Sequence, residues 1–228
     1  MERLRILCLH GYHGSAQILR RQMAPLADGL DELVEFVRMD APSLAEGDFG
    51  WWHAQSAEGT AANAGAGPGA KRYEGWQRTR AAIGSAFARQ GPFDGVFGFS
   101  QGAALAALLV GLRCGDNPGD EPSGTAGKNP DRSLAFDFAI MVGGFVSADP
   151  DLARLYGERS NYDLPSVHII GRSDTIVPPI ASIDLASRFR NPLILEHEGG
   201  HIIPNAPSIR QRFRGFLEDR QQRNRSGL

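Results

Sequence analysis

The sequence predicts an α/β fold, with a mostly parallel central sheet and helices on both of its faces. Short runs rich in Leu, Ile, Val and Phe alternate along the chain with amphipathic stretches of helical length. These runs are almost continuously apolar, which is typical of strands that are covered on both faces. Repeated strand–helix–strand units join through right-handed crossovers into one parallel sheet.

The individual elements follow from the same two patterns. In chain order, the predicted strands are LRILCLH (4–10), VEFVRM (34–39), FDGVFGF (93–99), FDFAIMVGG (136–144), SVHIIG (166–171) and LILEH (193–197). Amphipathic stretches fill the gaps between strands and predict helices over 16–30, 73–90, 101–113, 181–189 and 208–222.

Two polar stretches, 57–72 and 114–133, interrupt this rhythm. They are rich in Gly, Pro, Asn and Ser and contain little that could pack in a core. We therefore predict mobile surface loops there, not linkers between domains. The 228 residues, of which 42% are hydrophobic, are expected to form a single domain over 1–228.

Charge and composition exclude several classes of protein. A net charge of −2 and a pI near 6.3 provide no basic field for nucleic acid or anionic lipid. No stretch approaches the ~20 apolar residues that span a bilayer, and the first residues lack a long apolar leader. Cys8 and Cys114 show no CxxC spacing, so neither a disulfide framework nor a thiolate zinc site is expected. We expect a soluble, cytoplasmic protein with no nucleic-acid or membrane partner.

The segment GFSQG, residues 98–102, carries the first chemical signal. The pattern GxSxG is typical of a sharp strand-to-helix turn in which the serine has a strained backbone. An ordinary N-capping serine is the alternative reading. The apolar strand before Ser100 and the apolar helix after it favour a nucleophile, in the arrangement of the α/β-hydrolase fold.

A serine nucleophile needs a base, and the base needs a group that orients it. In this fold the chain order is Ser, acid, His, and the side chains lie just after the carboxyl ends of strands. Asp174 follows the strand 166–171, and His201 follows the strand 193–197. The sequence therefore predicts Ser100, Asp174 and His201 as a triad, although an Asx turn would fit Asp174 equally well.

The segment HEGGH, residues 197–201, also matches the HExxH signature of zinc hydrolases. That signature requires a helix, but Gly199 and Gly200 each cost a helix roughly 1 kcal/mol and Pro204 roughly 3. We therefore expect a tight loop, a structural role for the first histidine and no metal. A zinc site with Glu218 as a third ligand is the weaker alternative.

An oxyanion hole completes such a site. The expected donors are the backbone N–H groups of Gln101, after the nucleophile, and of Tyr12, in the loop after the first strand. His10 precedes the nucleophile in the chain, so we expect it to shape that loop and not to act as the base. Two glycine-rich segments, 65–70 and 124–128, resemble nucleotide-binding loops, but no strand precedes either, and no cofactor is expected.

The substrate pocket has weaker signals. Candidates for its wall are Trp51, Trp52, Phe145 and Val177. Aromatic side chains at such positions are as often core as pocket, so both roles stay open. No cluster of Lys or Arg follows the strands, which argues against a strongly anionic small substrate. A pantetheine arm on a carrier domain would need only surface contacts.

Several segments together resemble the FSH family of serine hydrolases, which are small α/β-hydrolases. They are LCLHGYHGSAQILRRQ, GPFDGVFGFSQGAALAALL, SVHIIGRSDTIVP and HEGGHIIP, and the similarity covers nearly the whole chain. The resemblance places nucleophile, acid and base on Ser100, Asp174 and His201. It implies a carboxylesterase or thioesterase, and some relatives release polyketide chains from the carrier domain of a synthase.

The expected function is cleavage of a carboxylic ester or thioester through an acyl-enzyme, without a cofactor. The predicted partners are a small ester or acyl thioester and an acyl carrier domain. Three alternatives stay open: a carboxylesterase for small free esters, a non-catalytic scaffold with this fold, and the zinc hydrolase.

Overall fold

A six-stranded, wholly parallel sheet forms the centre of the protein. The computed structural model describes residues 2–43, 50–56, 71–114, 134–156 and 162–226. The strands of this sheet are β1 (Leu4–Leu9), β2 (Val34–Met39), β5 (Gly95–Phe99), β6 (Phe138–Val142), β7 (Ser166–Gly171) and β8 (Leu193–His197), in the spatial order β2-β1-β5-β6-β7-β8. The strands β3 (His53–Ser56) and β4 (Lys71–Glu74) pair separately as an antiparallel ribbon.

Helices cover both faces of the sheet, as the sequence predicts for an α/β-hydrolase fold. They are α1 (Ala16–Ala27), α2 (Trp76–Gln90), α3 (Gln101–Cys114), α4 (Pro150–Ala153), α5 (Pro179–Ala186) and α6 (Pro207–Ser226), with a short 3-10 helix over Arg154–Tyr156. The hydroxyl of Ser15 accepts a hydrogen bond from the N–H of Ile18 and so caps the start of α1. Among the described residues, no helix is both long enough and apolar enough to cross a bilayer.

The core consists of two apolar clusters, one on each side of the sheet. In β1, Leu7 and Leu9 face one cluster, whereas Ile6 and Cys8 face the other. Helices α2 and α3 contribute to the first cluster, and α1 and α6 contribute to the second. Helix α3 is the most deeply buried of them, because all of its residues from 101 to 111 lie in the interior. Its start, next to Ser100, is therefore held firmly against the sheet.

The antiparallel ribbon of β3 and β4 was not predicted from the sequence. The sequence pattern predicts one helix over 73–90, but Tyr73 and Glu74 belong to β4, and α2 begins only at Trp76. Gly75 lies between them with φ of 88°, a left-handed conformation that a continuous helix excludes. Residues 71 and 72, predicted as loop, also lie in β4. The rest of the predicted loops, 57–70 and 115–133, falls outside the described residues.

A buried histidine lies in β7, the strand next to the edge strand β8. His168, in β7, is 2% exposed, and its ring packs edge-on against the ring of Phe189 with the centroids 4.9 Å apart. Its Nε2 lies 3.2 Å from the hydroxyl oxygen of Ser166. Burial lowers the pKa of His168 to about 3, because no charge nearby compensates for the lost hydration of the cationic ring. The folded protein therefore holds this ring neutral.

This burial predicts a loss of stability in mild acid. Below pH 6.5 the unfolded chain binds a proton at this histidine, whereas the folded chain does not bind one until about pH 3. The free energy of unfolding therefore decreases as the pH is lowered from 6.5 towards 3. His168 alone should remove about 2 kcal/mol between pH 7 and pH 5. Urea titrations of His168→Asn should show a shallower pH dependence than the wild type. The exposed His13→Asn serves as control, and an unchanged slope in His168→Asn would contradict the assignment.

Candidate active site

Ser100 occupies a sharp turn between β5 and α3. Its φ is 55°, a left-handed conformation that is rare for residues other than glycine. The N–H of Ser100 donates to the carbonyl of Val142 at 2.9 Å, and its own carbonyl accepts from Ala103 and Ala104 at 2.9 and 3.1 Å. The backbone is thereby fixed on both sides, and the strained conformation is maintained by β6 and by the first turn of α3.

The two glycines of the GxSxG motif are required by close backbone contacts. A methyl group at Gly98 would lie 2.1 Å from the carbonyl oxygen of Gly102, and one at Gly102 would lie 2.2 Å from the carbonyl oxygen of Leu9. Neither contact leaves room for a Cβ atom. The motif thus lets α3 start directly against the end of β1.

Asp174 and His201 form a hydrogen-bonded pair. The loops after β7 and β8 bring Asp174 Oδ2 to 2.7 Å from His201 Nδ1. The other carboxylate oxygen, Oδ1, accepts from the N–H groups of Ile176 and Val177, each at 2.9 Å. The turn role and the acid role that the sequence leaves open for Asp174 are therefore compatible, since each uses a different oxygen.

His201 and Ser100 share their neighbours at the carboxyl edge of the sheet. The imidazole packs on the ring of Phe99, with centroids 4.9 Å apart. A methyl group at Gly143 would lie 3.1 Å from His201 Cε1, and the residue before it, Val142, binds the N–H of Ser100. Within the described chain the Ser100 hydroxyl makes no hydrogen bond, so its rotation is not tied to another group. Ser100, Asp174 and His201 thus all lie at the carboxyl edge of the sheet, around the ends of β5 and β6.

The HEGGH segment forms a loop and not a helix. Ile202 N–H donates to the carbonyl of Gly200, and Ser173 N–H donates to the carbonyl of Gly199, which ties this loop to the acid loop. His197 Nδ1 lies 3.2 Å from the N–H of Gly199 and accepts from it. Burial lowers the pKa of His197, although Asp174 and Glu198 oppose this. The Nδ1 atom of His197 therefore binds the backbone of its own loop.

The zinc alternative finds no support in this geometry. Within the described ranges, no three His, Cys, Asp or Glu side chains converge as metal ligands would. Glu218, the ligand considered from the sequence, lies on α6 and pairs with Arg214 at 2.9 Å. The HExxH residues do not lie on a helix, which is the arrangement that the zinc signature requires.

The residues predicted to hold an oxyanion lie next to Ser100. A methyl group at Gly11 would lie 3.2 Å from Ser100 Cβ, so the loop that carries Tyr12 runs directly beside the serine. Gln101 is the first residue of α3, where the helix dipole is positive. In the described part of the chain, the backbone N–H groups of Tyr12 and Gln101 donate to no protein acceptor. Both donors remain available to a ligand.

His10 supports this loop from below. Its ring is buried, Nδ1–H donates to the carbonyl of Gly11 at 2.7 Å, and Nε2 accepts from the N–H of Ala41 at 3.0 Å. Burial lowers the pKa of His10 and keeps it neutral. With both nitrogens bound to backbone, His10 shapes the loop and has no free nitrogen for a substrate.

The structure corrects the predicted pocket wall at two positions. Trp51 and Trp52 are only 1% and 2% exposed, and both belong to the apolar core. The indole of Trp52 stacks on Tyr73 with the ring centroids 4.6 Å apart. These rings fill the space under the site, so they offer no open wall. For Phe145, which is partly buried, and Val177, whose backbone orients the acid, a role in the pocket stays a prediction.

An apolar rim of three exposed isoleucines, in the loops of Asp174 and His201 and at the start of α5, was missed by the sequence prediction. Ile176 lies two residues after Asp174, Ile202 follows His201, and Ile180 is the second residue of α5. Their exposures are 70%, 54% and 71%, respectively. The isoleucines one or two residues after His201 and Asp174, in the segments HII and DTIV, are the signal that could have indicated it.

Comparison with known proteins identifies the family. A family model described as "Serine hydrolase (FSH1)" matches residues 1–213. The chain belongs to the FSH1 serine hydrolase family. The resemblance noted from the sequence motifs is thereby confirmed.

Relatives of this chain in the FSH1 family include two named esterases. Esterase CG5412 of Drosophila melanogaster is 31% identical over 231 residues, which cover 97% of this chain and 76% of the fly protein. Esterase OVCA2 of Homo sapiens is 33% identical and covers 94% of this chain and 96% of the human protein. This FSH1-family protein is therefore an enzyme, a serine hydrolase of the esterase class.

A solved structure supports the fold independently of close sequence similarity. Acyl-protein thioesterase 2 of Zea mays superposes with a TM-score of 0.62 at 18% identity, over 96% of this chain and 94% of the maize protein. At this identity the similarity establishes the α/β-hydrolase fold of the FSH1-family chain and leaves its substrate open.

Gly102, in the GxSxG turn, and Gly84, in α2, have different surroundings, so we predict opposite effects of alanine substitution at the two positions. Gly102→Ala should lower the free energy of unfolding by about 3 kcal/mol or more, because its methyl group would collide with the carbonyls of Leu9 and His10. Gly84→Ala, in α2 with open space around it, should raise it by about 0.5–1 kcal/mol. Urea or thermal unfolding measures both. Equal stability of the two variants would show that the turn tolerates a side chain.

Proposed function

We propose that this protein hydrolyses carboxylic esters and thioesters through an acyl-enzyme formed on Ser100. The observation that carries the proposal is the Asp174–His201 pair, which lies at the carboxyl edge of the sheet beside a serine with a strained backbone. A carboxylate bound to Nδ1 leaves Nε2 of the imidazole as the nitrogen that can accept the serine proton.

The proposed reaction has two halves. In the first, the Ser100 hydroxyl oxygen attacks the acyl carbonyl while His201 takes the hydroxyl proton. The tetrahedral intermediate then collapses, and His201 gives that proton to the leaving alcohol or thiol. In the second half, water attacks the acyl-serine by the same route, and the products are a carboxylic acid and free Ser100. Asp174 holds the imidazole and stabilises its cationic form.

The oxyanion of each intermediate is assigned to the backbone N–H groups of Tyr12 and Gln101. Both lie next to Ser100 and have no protein acceptor in the described chain, so they are already unpaired when substrate arrives. Donors fixed in this way cost no reorganisation during the reaction. Each is worth about 3 kcal/mol of barrier in comparable enzymes.

For the acyl group we propose an apolar chain, including an acyl or polyketide chain carried as a thioester on a carrier domain. Ile176 and Ile202 lie in the loops that carry Asp174 and His201, and their side chains are exposed, so they are the proposed contacts of an apolar acyl chain. A carboxylesterase that acts on small free esters is the second candidate. The cytoplasmic location and the carrier partner stay predictions.

Replacing the nucleophile should abolish activity without unfolding the protein. Ser100→Ala is expected to lose p-nitrophenyl ester hydrolysis by at least about 10³-fold and all labelling by a fluorophosphonate probe, because the substitution removes the hydroxyl that would attack the acyl carbonyl. Its melting temperature should stay the same or rise. Ser187→Ala, which removes an exposed hydroxyl at the end of α5, should keep full activity.

Two results would contradict the proposal. Persistent fluorophosphonate labelling of Ser100→Ala would mean that the nucleophile lies elsewhere. Absence of labelling and hydrolysis in the wild type would instead favour a non-catalytic scaffold with this fold.

A panel of substrates should separate the two candidates for the acyl group. Acetyl, hexanoyl and dodecanoyl groups can be compared as p-nitrophenyl esters, as pantetheine thioesters and on a purified carrier domain. The value of kcat/KM should rise with chain length by up to about fourfold per methylene, since a buried methylene is worth ~0.8 kcal/mol.

Substitution of the rim tests where that selectivity comes from. Ile176→Ser should reduce the advantage of long chains, whereas Ile194→Ser, an exposed isoleucine of the edge strand β8, should not. A preference for acetyl esters in the wild type would favour the small-ester carboxylesterase.

A further inference from the structure

The side chain of Gln101 makes two buried hydrogen bonds that the proposed reaction does not use. Its Oε1 accepts from the backbone N–H of Trp51, and its Nε2 donates to the carbonyl of Trp52, both at 2.8 Å. The residue is only 7% exposed. The amide thus fills a gap in the backbone pairing of residues 51 and 52, where a primary amide supplies both the acceptor and the donor that are needed.

Trp51 continues this connection to the opposite side of the site. Its indole Nε1–H donates to the carbonyl of His10 at 2.8 Å, and its ring packs against the ring of His10 with centroids 4.9 Å apart. The carbonyl of Trp51 accepts from the hydroxyl of Thr79 on α2. Trp51 is therefore bonded to the loop after β1, to the start of α3 and to α2 at the same time.

These contacts link the two predicted oxyanion donors. One donor, Tyr12, lies two residues after His10 in the loop that follows β1. The other, Gln101, is the residue whose own side chain binds Trp51. The two N–H groups belong to different elements of the fold, so their separation and direction depend on what joins those elements near the site. The joining path runs from the Gln101 amide through Trp51 to the His10 carbonyl.

We propose that Gln101 and Trp51 form a brace that positions the oxyanion hole, so that the Gln101 side chain is a positioning residue for catalysis. The proposal rests on the esterase mechanism proposed above. Trp51 then contributes to turnover through its hydrogen bonds and not as a wall of the acyl pocket. An error near 1 Å in the position of such donors can cost about 100-fold in rate, which is why a brace at this place would matter.

Substitution of Gln101 tests the brace through kcat and KM. Gln101→Met keeps the length of the side chain but has neither the acceptor nor the donor. We expect kcat for a p-nitrophenyl ester to fall roughly 10- to 100-fold with KM nearly unchanged, because the oxyanion hole binds the intermediate and not the ground state. Measurements are made well below the melting temperature, with the folded fraction monitored by near-UV circular dichroism.

Gln101→Glu provides a pH-dependent rescue that a purely structural role would not produce. An ionised carboxylate repels the carbonyl of Trp52, whereas a protonated carboxyl donates to it and still accepts from Trp51, as the amide does. The ratio of kcat in Gln101→Glu to kcat in the wild type should therefore rise as the pH falls from 8 towards 5.5. The same ratio for Gln101→Met should stay flat, since nothing in that side chain titrates.

A third variant tests the far side of the brace. Trp51→Phe removes the hydrogen bond to the His10 carbonyl and keeps an aromatic ring in the core, and we expect kcat to fall about tenfold with KM unchanged. Trp76→Phe is the matched control, because it makes the same change in the same cluster but lies on α2. Its kcat should stay within about twofold of the wild type.

The outcomes separate the brace from the esterase mechanism itself. If Gln101→Met and Trp51→Phe are folded and keep kcat within about twofold, or if activity merely follows the folded fraction, the brace is refuted while the esterase mechanism stands. A loss confined to KM would also refute it. If Ser100→Ala is as active as the wild type, the esterase mechanism fails first, whatever the Gln101 variants show.

Discussion

The left-handed backbone of Ser100 is the constraint on which the rest of the active site depends. Holding a serine at a φ of 55° costs free energy, and the cost is met by the hydrogen bond to Val142 and by the first turn of α3. In the same turn, Gly98 packs against the backbone of Gly102, and Gly102 packs against the backbone of Leu9. Neither contact leaves room for a Cβ atom. One local strain thereby fixes a side chain, a helix start and a strand end relative to one another.

Three histidines, His10, His197 and His201, differ in the groups that their rings bind. His10 is buried with both nitrogens bound to backbone, and His197 binds the backbone of its own loop. Burial lowers the pKa of both, which keeps them neutral. His201 instead binds the carboxylate of Asp174 and lies beside the ring of Phe99. Of these three rings, only that of His201 makes a hydrogen bond to a carboxylate.

The residues near the site are of two kinds: buried aromatic residues and exposed isoleucines. The segment 50–52 lies below, where Trp51 and Trp52 fill the core and their backbone groups pair with Gln101. The exposed Ile176 and Ile202 lie in the loops that carry Asp174 and His201 and are not part of the buried core. We infer that the buried aromatics determine the geometry of the chemistry, whereas the exposed isoleucines determine which acyl group is accommodated.

The sequence by itself determined the parallel sheet, the buried helix after Ser100 and the chain order of Ser100, Asp174 and His201. These follow from local signals: continuous apolar runs, a GxSxG turn, and polar residues placed just after strands. It could not place the aromatic pair at 51–52, because apolarity alone does not distinguish a core residue from a pocket wall. Nor could it indicate that Tyr73 and Glu74 pair as a strand, since only the left-handed Gly75 ends the helix there.

Only the tertiary structure decided which atoms meet. Asp174 and His201 come from separate loops and meet in a hydrogen bond of 2.7 Å, while the second oxygen of the same carboxylate binds the backbone of its own loop. The two hydrogen bonds of the Gln101 side chain likewise reach residues 51 and 52, which are far away in the chain. Such contacts depend on how loops from separate strands converge at one edge of the sheet. That convergence is a property of packing between elements, and no pattern within a single segment encodes it.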